Sequence, residues 1–575
     1  MIKEILFGAM LVLGSSTYAQ KQTVNWGDEF KLKKGTSDIN VLFTDETGVY
    51  IEEEHMTLGT YFVVGATFRE SASLVKLNPK LQEIYRSDFN RELKGKNFEY
   101  FLPFQKKLFV VASDYSKADR AFQLLVGEVD KQSGEMKGSW KTIASIPKEE
   151  KKDQVNFRLF PNTDSSRLVL ISTIAGREKN TYRVEEFDQN LRSSSSSATI
   201  SNEFEPRTYT LEDVLYTKDK KIILVGRVFE YQSGKKKKEK YLDFSRYNIR
   251  IYDEKGKQQT ELNTEINGKW VSSTKLMMGK DNDLLLASFY SKEKRGTTNG
   301  LLVQRIDPAT GKVLSAAEKE INYSMVTAES GDSGLEEDDR EARAERKERE
   351  RLAKLQNEGE GFSKYMKFRN IYYTPDNGLV LLAENYNHYT YTSSSYSSGM
   401  NQSAGRWTYT TYMVYECGEL VMCKLNSGNE IEWLQILPKS QREVITASRS
   451  SPTAGGVSFS SFFLPDGRPY YAGFGSLQFN DNIYLYFNDH RKNATVLNAG
   501  QKVSRIDFYA KSDCYVVTMD VLTGKLNRKV MFANDDQPTA MPRKSSIVGK
   551  ELYLIGKTDR IFGKTKLAVG KVTTK

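Results

Sequence analysis

Cysteine and histidine are both scarce, with three of each among 575 residues. Three cysteines exclude a disulfide framework and leave room for one bridge at most. Cys417 and Cys423 share a strand face and lie about 20 Å apart at β rise, too far to join. Any bridge must therefore use Cys514, and three buried, reduced thiols are the expectation. The histidines are His55, His388 and His490, and none has a second His or Cys at ligand spacing. No metal site is expected, because zinc needs three or four converging ligands. Also missing beyond residue 19 is any apolar run of the ~20 residues that a membrane-crossing helix requires.

Nor is positive charge concentrated anywhere, although the chain carries a formal +10 and a pI near 9.0. Lysine and arginine are scattered over turns, and only residues 235–238 form a run. A nucleic-acid surface gathers such charge on one face, so no nucleic-acid partner is expected. The excess favours anionic cell-envelope partners through long-range attraction.

Catalytic signatures are absent as well. No G-x-S-x-G elbow occurs, and Gly331-Asp-Ser-Gly334 resembles a trypsin-like nucleophile segment but continues into Leu335 and a run of charge. Gly556-Lys-Thr and Gly563-Lys-Thr lack the earlier glycine that a phosphate loop needs, since Glu551 and Thr558 stand there. Acid pairs such as Asp535/Asp536 and Asp281/Asp283 sit in turns, and Asp281-Asn-Asp283 runs straight into Leu284 without EF-hand spacing. No catalytic residue, metal or cofactor is assigned.

What is present begins with residues 1–19. Lys3, the apolar stretch 5–13 and Thr17-Tyr-Ala19 have the form of a secretory signal peptide. The mature chain is expected to be exported, to the periplasm or in association with the outer membrane or cell surface. Its 32 tyrosines and short Val/Ile/Leu/Phe runs ending in Gly, Asp, Asn or Pro favour strands. Asp-x-x-Thr/Ser-Gly turns recur at Asp130, Asp307 and Asp520, where Asp bonds its own backbone and Gly supplies positive φ.

Leading apolar runs start near Tyr61, Leu108, Leu168, Ile222, Leu284, Leu379, Ile483 and Leu552, each followed by one or two more strands. Units of this kind suit β-propeller blades, and a chain this long exceeds one ordinary core unless its repeats close into a ring. The expected fold is all-β: a single closed propeller of residues 20–575, with eight blades or alternatively seven. The last unit lacks an outer strand. Residues 23–32, with Trp26 matching Trp140 and Trp433, are expected to supply it as a closure strand.

Two insertions interrupt the pattern. Residues 330–360 hold a charged segment, 335–358, with Asp339/Arg343, Glu345/Arg349 and Glu350/Lys354 in favourable helical order. A solvent-facing helix is expected there, either a spacer or a docking arm. Residues 385–415 form a Tyr/Ser-rich loop insertion. It reads either as an adaptable recognition surface or as a long hairpin whose rings cover neighbouring strands. The candidate binding residues are Tyr386, His388, Tyr389, Tyr391, Trp407, Tyr409 and Tyr412.

The turns beginning at Asp130, Asp307 and Asp520 resemble those of quinoprotein-like and WD40-like propellers. The tryptophan docking pattern of quinoprotein blades is missing, so the resemblance implies no quinone cofactor. Gly378-Leu-Val-Leu-Leu-Ala-Glu384, residues 434–438 and Tyr484-Leu-Tyr-Phe-Asn-Asp489 resemble a group of uncharacterised exported Bacteroidota proteins, a likeness that carries no activity. The expected role is a non-catalytic platform for an envelope protein partner. The alternative is a glycan-binding or glycoside-processing propeller, with Tyr389, Tyr391, Trp407 and Tyr409 stacking on sugar faces. Nothing in the sequence fixes the oligomeric state.

Overall fold

The computed structural model describes residues 22–33, 36–61, 65–151, 153–162, 164–233, 240–264, 269–278, 283–293, 298–321, 329–330, 366–397, 406–450, 458–459, 469–549, 551–558 and 566–574. The expected signal peptide (1–19) and the charged segment (335–358) lie outside them. Among the described residues there is no α-helix, and no helix long and apolar enough to cross a membrane.

The continuous apolar runs dictate the architecture. Leu284–Ser291 is buried at every position, Asn482–Asp489 at all but the first, and Leu168–Ala175 over its first five residues. A strand with no polar face must be covered on both sides. Each such run is the second strand of an antiparallel sheet. Residues 36–88, 97–147, 154–201, 209–264 and 270–320 form five four-stranded meanders, called sheets 1 to 5. Sheet 6 spans residues 366–459, and sheet 7 spans residues 475–533. Sheet 8 combines residues 539–574 with the amino-terminal Gln22–Trp26 and Phe30–Lys31. Val24 stands opposite Val572, and Phe30 opposite Leu567.

Alternate residues of the second strands feed different cores. Leu170 joins a cluster with Val126 of sheet 2, whereas its neighbour Ile171 joins Leu224 of sheet 4. In the same way Leu74 shares a cluster with Val110, Ile223 with Leu286, Val303 with Leu381, and Leu382 with Leu485. Tyr486 meets Leu554 across sheets 7 and 8, and Ile555 meets Ile51 across sheets 8 and 1. Each core is thus a layer between face-packed sheets, the packing of a β-propeller. Fourth strands are the least covered: in Val313–Glu320 no residue is buried.

The Asp-x-x-Thr/Ser-Gly turns sit between third and fourth strands and lock onto the preceding sheet. Asp520 accepts from the N–H and hydroxyl of Thr523, and Gly524 closes the turn at φ +68°. A Cβ on Gly524 would lie 2.8 Å from the Trp433 ring of sheet 6. Trp433 Nε1 in turn donates to the Val521 carbonyl at 3.2 Å. Glycine is required twice over, for the backbone angle and for the close approach.

Two expectations need correction. The apolar run near Tyr61 does not lead the first unit: Tyr61 ends the long strand Gly48–Tyr61, and the buried core residues are Val49, Tyr50 and Ile51. The polar stretch Glu52-Glu-Glu-His55 disguised that strand, yet Glu52, Glu53 and His55 are buried with partners of their own. Residues 385–415 are also not a loop over their described part. Leu379–Ser397 and Arg406–Leu425 pair along almost their whole length as a hairpin.

Candidate functional site

Sheet 6 departs from the four-stranded pattern. Ile431–Leu437 pairs with Arg406–Leu425 only as far as Leu420. Beyond that, Arg406–Leu425 takes Gln441–Ser450 as its neighbour, from Cys417 to Thr408. The result is an arm of three long strands grown from sheet 6, with the two-residue strand Ser458–Phe459 on its far edge. It is rich in Thr, Tyr and Ser, which tolerate a half-exposed pleated surface.

Pleating splits the sequence-derived candidates between the arm's two faces. Tyr389 and Tyr391 are each only 6% exposed and pack with Val414. Tyr391 stacks on Tyr412 at 4.7 Å, and the Tyr389 hydroxyl donates to Glu416 at 3.3 Å. The opposite face carries Tyr386 and the exposed His388, which stacks on Tyr415 at 4.5 Å. Trp407 and Tyr409 stand opposite Tyr396 and Ser394.

The root of the arm holds a group that sequence reasoning missed. Arg369 lies on Met366–Tyr373, the first strand of sheet 6, beside a β-bulge between Phe368 and Asn370. Such bulges re-aim a side chain. Arg369 Nε donates to the fully buried Glu384 at 2.9 Å, and its Nη2 lies 2.8 Å from the same carboxylate as an ion pair without a hydrogen bond. Lys439 Nζ, also fully buried, donates to Glu384 at 2.9 Å, to Gln441 Oε1 at 2.8 Å and to the Cys417 carbonyl at 3.2 Å. Burial raises the Glu384 pKa, but the charges of Lys439 and Arg369 outweigh it and hold the carboxyl below its ordinary value.

Arg543 arrives from the 3-10 turn Pro542–Lys544 of sheet 8. The Tyr386 ring has Lys367 Nζ 4.7 Å, Arg369 4.9 Å and Arg543 5.2 Å from its centroid. Between these elements and Gly475–Phe479, the first strand of sheet 7, opens a cavity of about 330 Å³. Its walls include Arg369, Asn370, Ser476, Arg543, Phe474 and Ile547. The only local hint in the sequence was that Glu384 and Lys439 flank two of the conspicuous motifs.

The other two histidines play structural parts. His55 Nε2 lies 2.8 Å from Ser73 Oγ, and burial pushes its pKa down to about 3, so it is neutral in the core. His490 Nδ1 accepts the Lys492 N–H at 3.0 Å and caps a 3-10 turn. Cys417, Cys423 and Cys514 are free and buried. Among the described residues no three His, Cys, Asp or Glu side chains gather to hold a metal ion.

One carboxyl outside the arm has a large consequence. Burial, then the charges of Glu54 and Asp38, push Glu52 up to about 8, although it accepts the Phe101 N–H at 2.8 Å. Folding therefore favours the protonated acid. Its contribution is complete below the unfolded value of about 4.5 and is lost as pH rises through 8. Glu52→Gln is expected to match the parent at pH 5 and to exceed it by ~3–5 kcal/mol at pH 9. Denaturant unfolding at the two pH values checks this, and equal stabilities at pH 9 would refute it.

No family model matches the chain, and no curated protein does. Among solved structures it is similar to the β-propeller domain of the Trilobed protease from Pyrococcus furiosus. That match has 10% identity, covers 90% of this chain and 100% of that one, and has a TM-score of 0.27. It is also similar to the GH93 α-L-arabinofuranosidase of Fusarium graminearum, at 9% identity over 62% and 93% of the chains, with a TM-score of 0.30. Prolyl oligopeptidase B from Galerina marginata matches at 10% identity over 65% of this chain, with a TM-score of 0.28; this chain spans 38% of that protein. Likenesses at these scores define neither a family nor an activity for this chain.

Proposed function

We propose that the eight sheets close into one propeller ring, that the chain is exported to the cell envelope, and that the ring is a non-catalytic platform for a protein partner. Closure is supported by the core shared between sheets 8 and 1 and by the pairing of Gln22–Trp26 with Lys566–Thr574. Export rests on the signal-like residues 1–19. The platform role is carried by one observation. The arm extends sheet 6 past its own fourth strand and offers a row of exposed polar residues, His388, Thr390 and Thr392. Extended, Tyr- and Thr-rich surfaces on a rigid scaffold suit protein recognition. The glycan reading has less support, because Tyr389 and Tyr391, two rings it would stack on sugar, are packed against the arm itself.

Site-specific photo-crosslinking in intact cells tests the role. Crosslinkers at Thr390 and Thr392 are expected to capture one discrete envelope protein. The same group at Val313, 51% exposed on sheet 5, is expected not to. Adducts that are equal from all three positions, or absent from the arm, would remove the support.

A further inference from the structure

We infer that the cavity at the root of the arm binds a small organic anion through a carboxylate or phosphate group. This does not depend on the arm holding a protein, since the donors and the apolar wall belong to the cavity lining.

The first ground is charge. Arg369 and Arg543 line the cavity together with Glu384, while Lys439, bonded to Glu384, and Lys367, over the Tyr386 ring, stand behind that lining. Both Glu384 oxygens are engaged, Oε1 by Lys439 and Oε2 by Arg369. Lys544 adds no surplus, because it is paired with Asp38 at 2.6 Å. The Glu384 charge is shared between Lys439 and Arg369, which leaves Arg543 in the cavity wall, and Lys367 behind it, without a carboxylate of their own among the described residues. Like charges in a partly desolvated space repel strongly, because the local dielectric is low. The effect is visible at Lys367, whose pKa is lowered by burial and then by the charges of Arg369 and Arg543. Groups whose pKa values are perturbed by burial and by specific charges in a cleft cluster at functional sites.

The second ground is donor geometry. Among the described residues Arg543 forms no ion pair, and its Nη1 is buried without a hydrogen-bond partner. A guanidinium is a planar fork matched to carboxylate and phosphate oxygens, and leaving it unmet is costly. The Ser476 hydroxyl, fixed by Asn370 and by Tyr372 at 2.7 Å, lines the same space.

The third ground is shape. About 330 Å³ exceeds what an inorganic ion needs and falls in the range of small-molecule sites. Phe474 and Ile547 add an apolar wall for the body of the ligand. Gly475 lets its strand pass close to the turn at residues 542–545, since a Cβ there would lie 2.0 Å from Ser545 Oγ. Ile547 is 43% exposed, which places solvent at the rim.

Calorimetric titration at constant ionic strength tests the inference, with glucuronate, glucose 6-phosphate and uncharged methyl glucoside as probes. Saturable binding of at least one anionic probe, with Kd on the order of 1 mM or tighter, is expected, and none for methyl glucoside. Carboxylate-only, phosphate-only or dual binding identifies the source of the oxyanion. Arg543→Met keeps the apolar stem and leaves the Glu384 pairs intact, and it is expected to weaken binding about tenfold or more. Should that variant fail to fold, Ile547→Asp replaces it, because this rim position is exposed and the new carboxylate repels the anion. No saturable binding of either anion, equal binding of the neutral sugar, or a variant within about threefold of the parent would overturn the inference.

Discussion

Removal of residues 22–32 is expected to lower the melting temperature by about 5–10 °C and to strip amide protection from Glu551–Thr558 and Asn482–Asp489. The segment is small, but it touches three sheets. Gln22 to Trp26 supply the outermost strand of sheet 8. Gln22 Oε1 accepts the buried Tyr486 hydroxyl of sheet 7 at 2.7 Å, and Trp26 meets Phe532 of the same sheet edge-on at 5.7 Å. Phe30 and Leu32 are buried in the core between sheets 8 and 1. Losing them uncovers apolar surface in two layers at once and leaves Lys566–Thr574 as an unpaired edge. The opposite manipulation is expected to work the other way. Thr23 and Thr573 are directly paired, with hydroxyls 2.9 Å apart, across a sequence separation of 550 residues. A Thr23→Cys/Thr573→Cys pair, once oxidised, would constrain the unfolded chain over that whole loop, an effect of up to about 5 kcal/mol. The three native cysteines are buried, so they compete poorly for the new bond. Unchanged melting on deletion, together with no gain on oxidation, would show that the amino-terminal strand does not fasten the proposed ring.

The fold was legible where its chemistry is local. Leu284-Leu-Leu-Ala and Ile483-Tyr-Leu-Tyr announce strands covered on both sides because no polar residue interrupts them, and the turns at Asp130, Asp307 and Asp520 carry their own hydrogen bonds. Sheet 1 was harder to read. Its core residues Val49, Tyr50 and Ile51 precede three glutamates and a histidine, and only distant partners make those polar groups tolerable. Glu53 accepts the Thr36 hydroxyl at 2.5 Å and pairs with Arg86; Glu52 takes the Phe101 N–H. Composition also marked residues 385–415 as unusual. It could not say that this stretch is a strand, whose alternation sets Tyr386 and His388 on one face and Tyr389 and Tyr391 on the other, nor that a bulge between Glu384 and Tyr386 precedes it. The cationic cavity left almost no trace, because Arg369, Glu384, Lys439 and Arg543 come from separate strands and a turn that only packing brings together.

That convergence makes Glu384 the most consequential single side chain at the site. Glu384→Gln is expected to destabilise the protein by ~3–5 kcal/mol at pH 7, because Lys439 and Arg369 would then be held with a neutral partner in a desolvated space. The pH dependence gives the effect a signature. The Glu384 carboxyl is held below its ordinary value in the folded state. Its contribution is therefore present above the unfolded pKa of about 4.5 and is lost as pH falls through the folded value. The gap between parent and variant is expected to narrow steadily under acid, the reverse of the trend at Glu52. A gap that stays constant from pH 7 down to the acid limb would mean that shape rather than charge is being lost. Anion binding offers a second readout, since a bound anion replaces part of the missing negative charge. A probe that binds the cavity is expected to stabilise Glu384→Gln more than the parent at equal concentration, through tighter binding to the folded state. Stabilisation that is smaller in the variant would place the anion away from these cations.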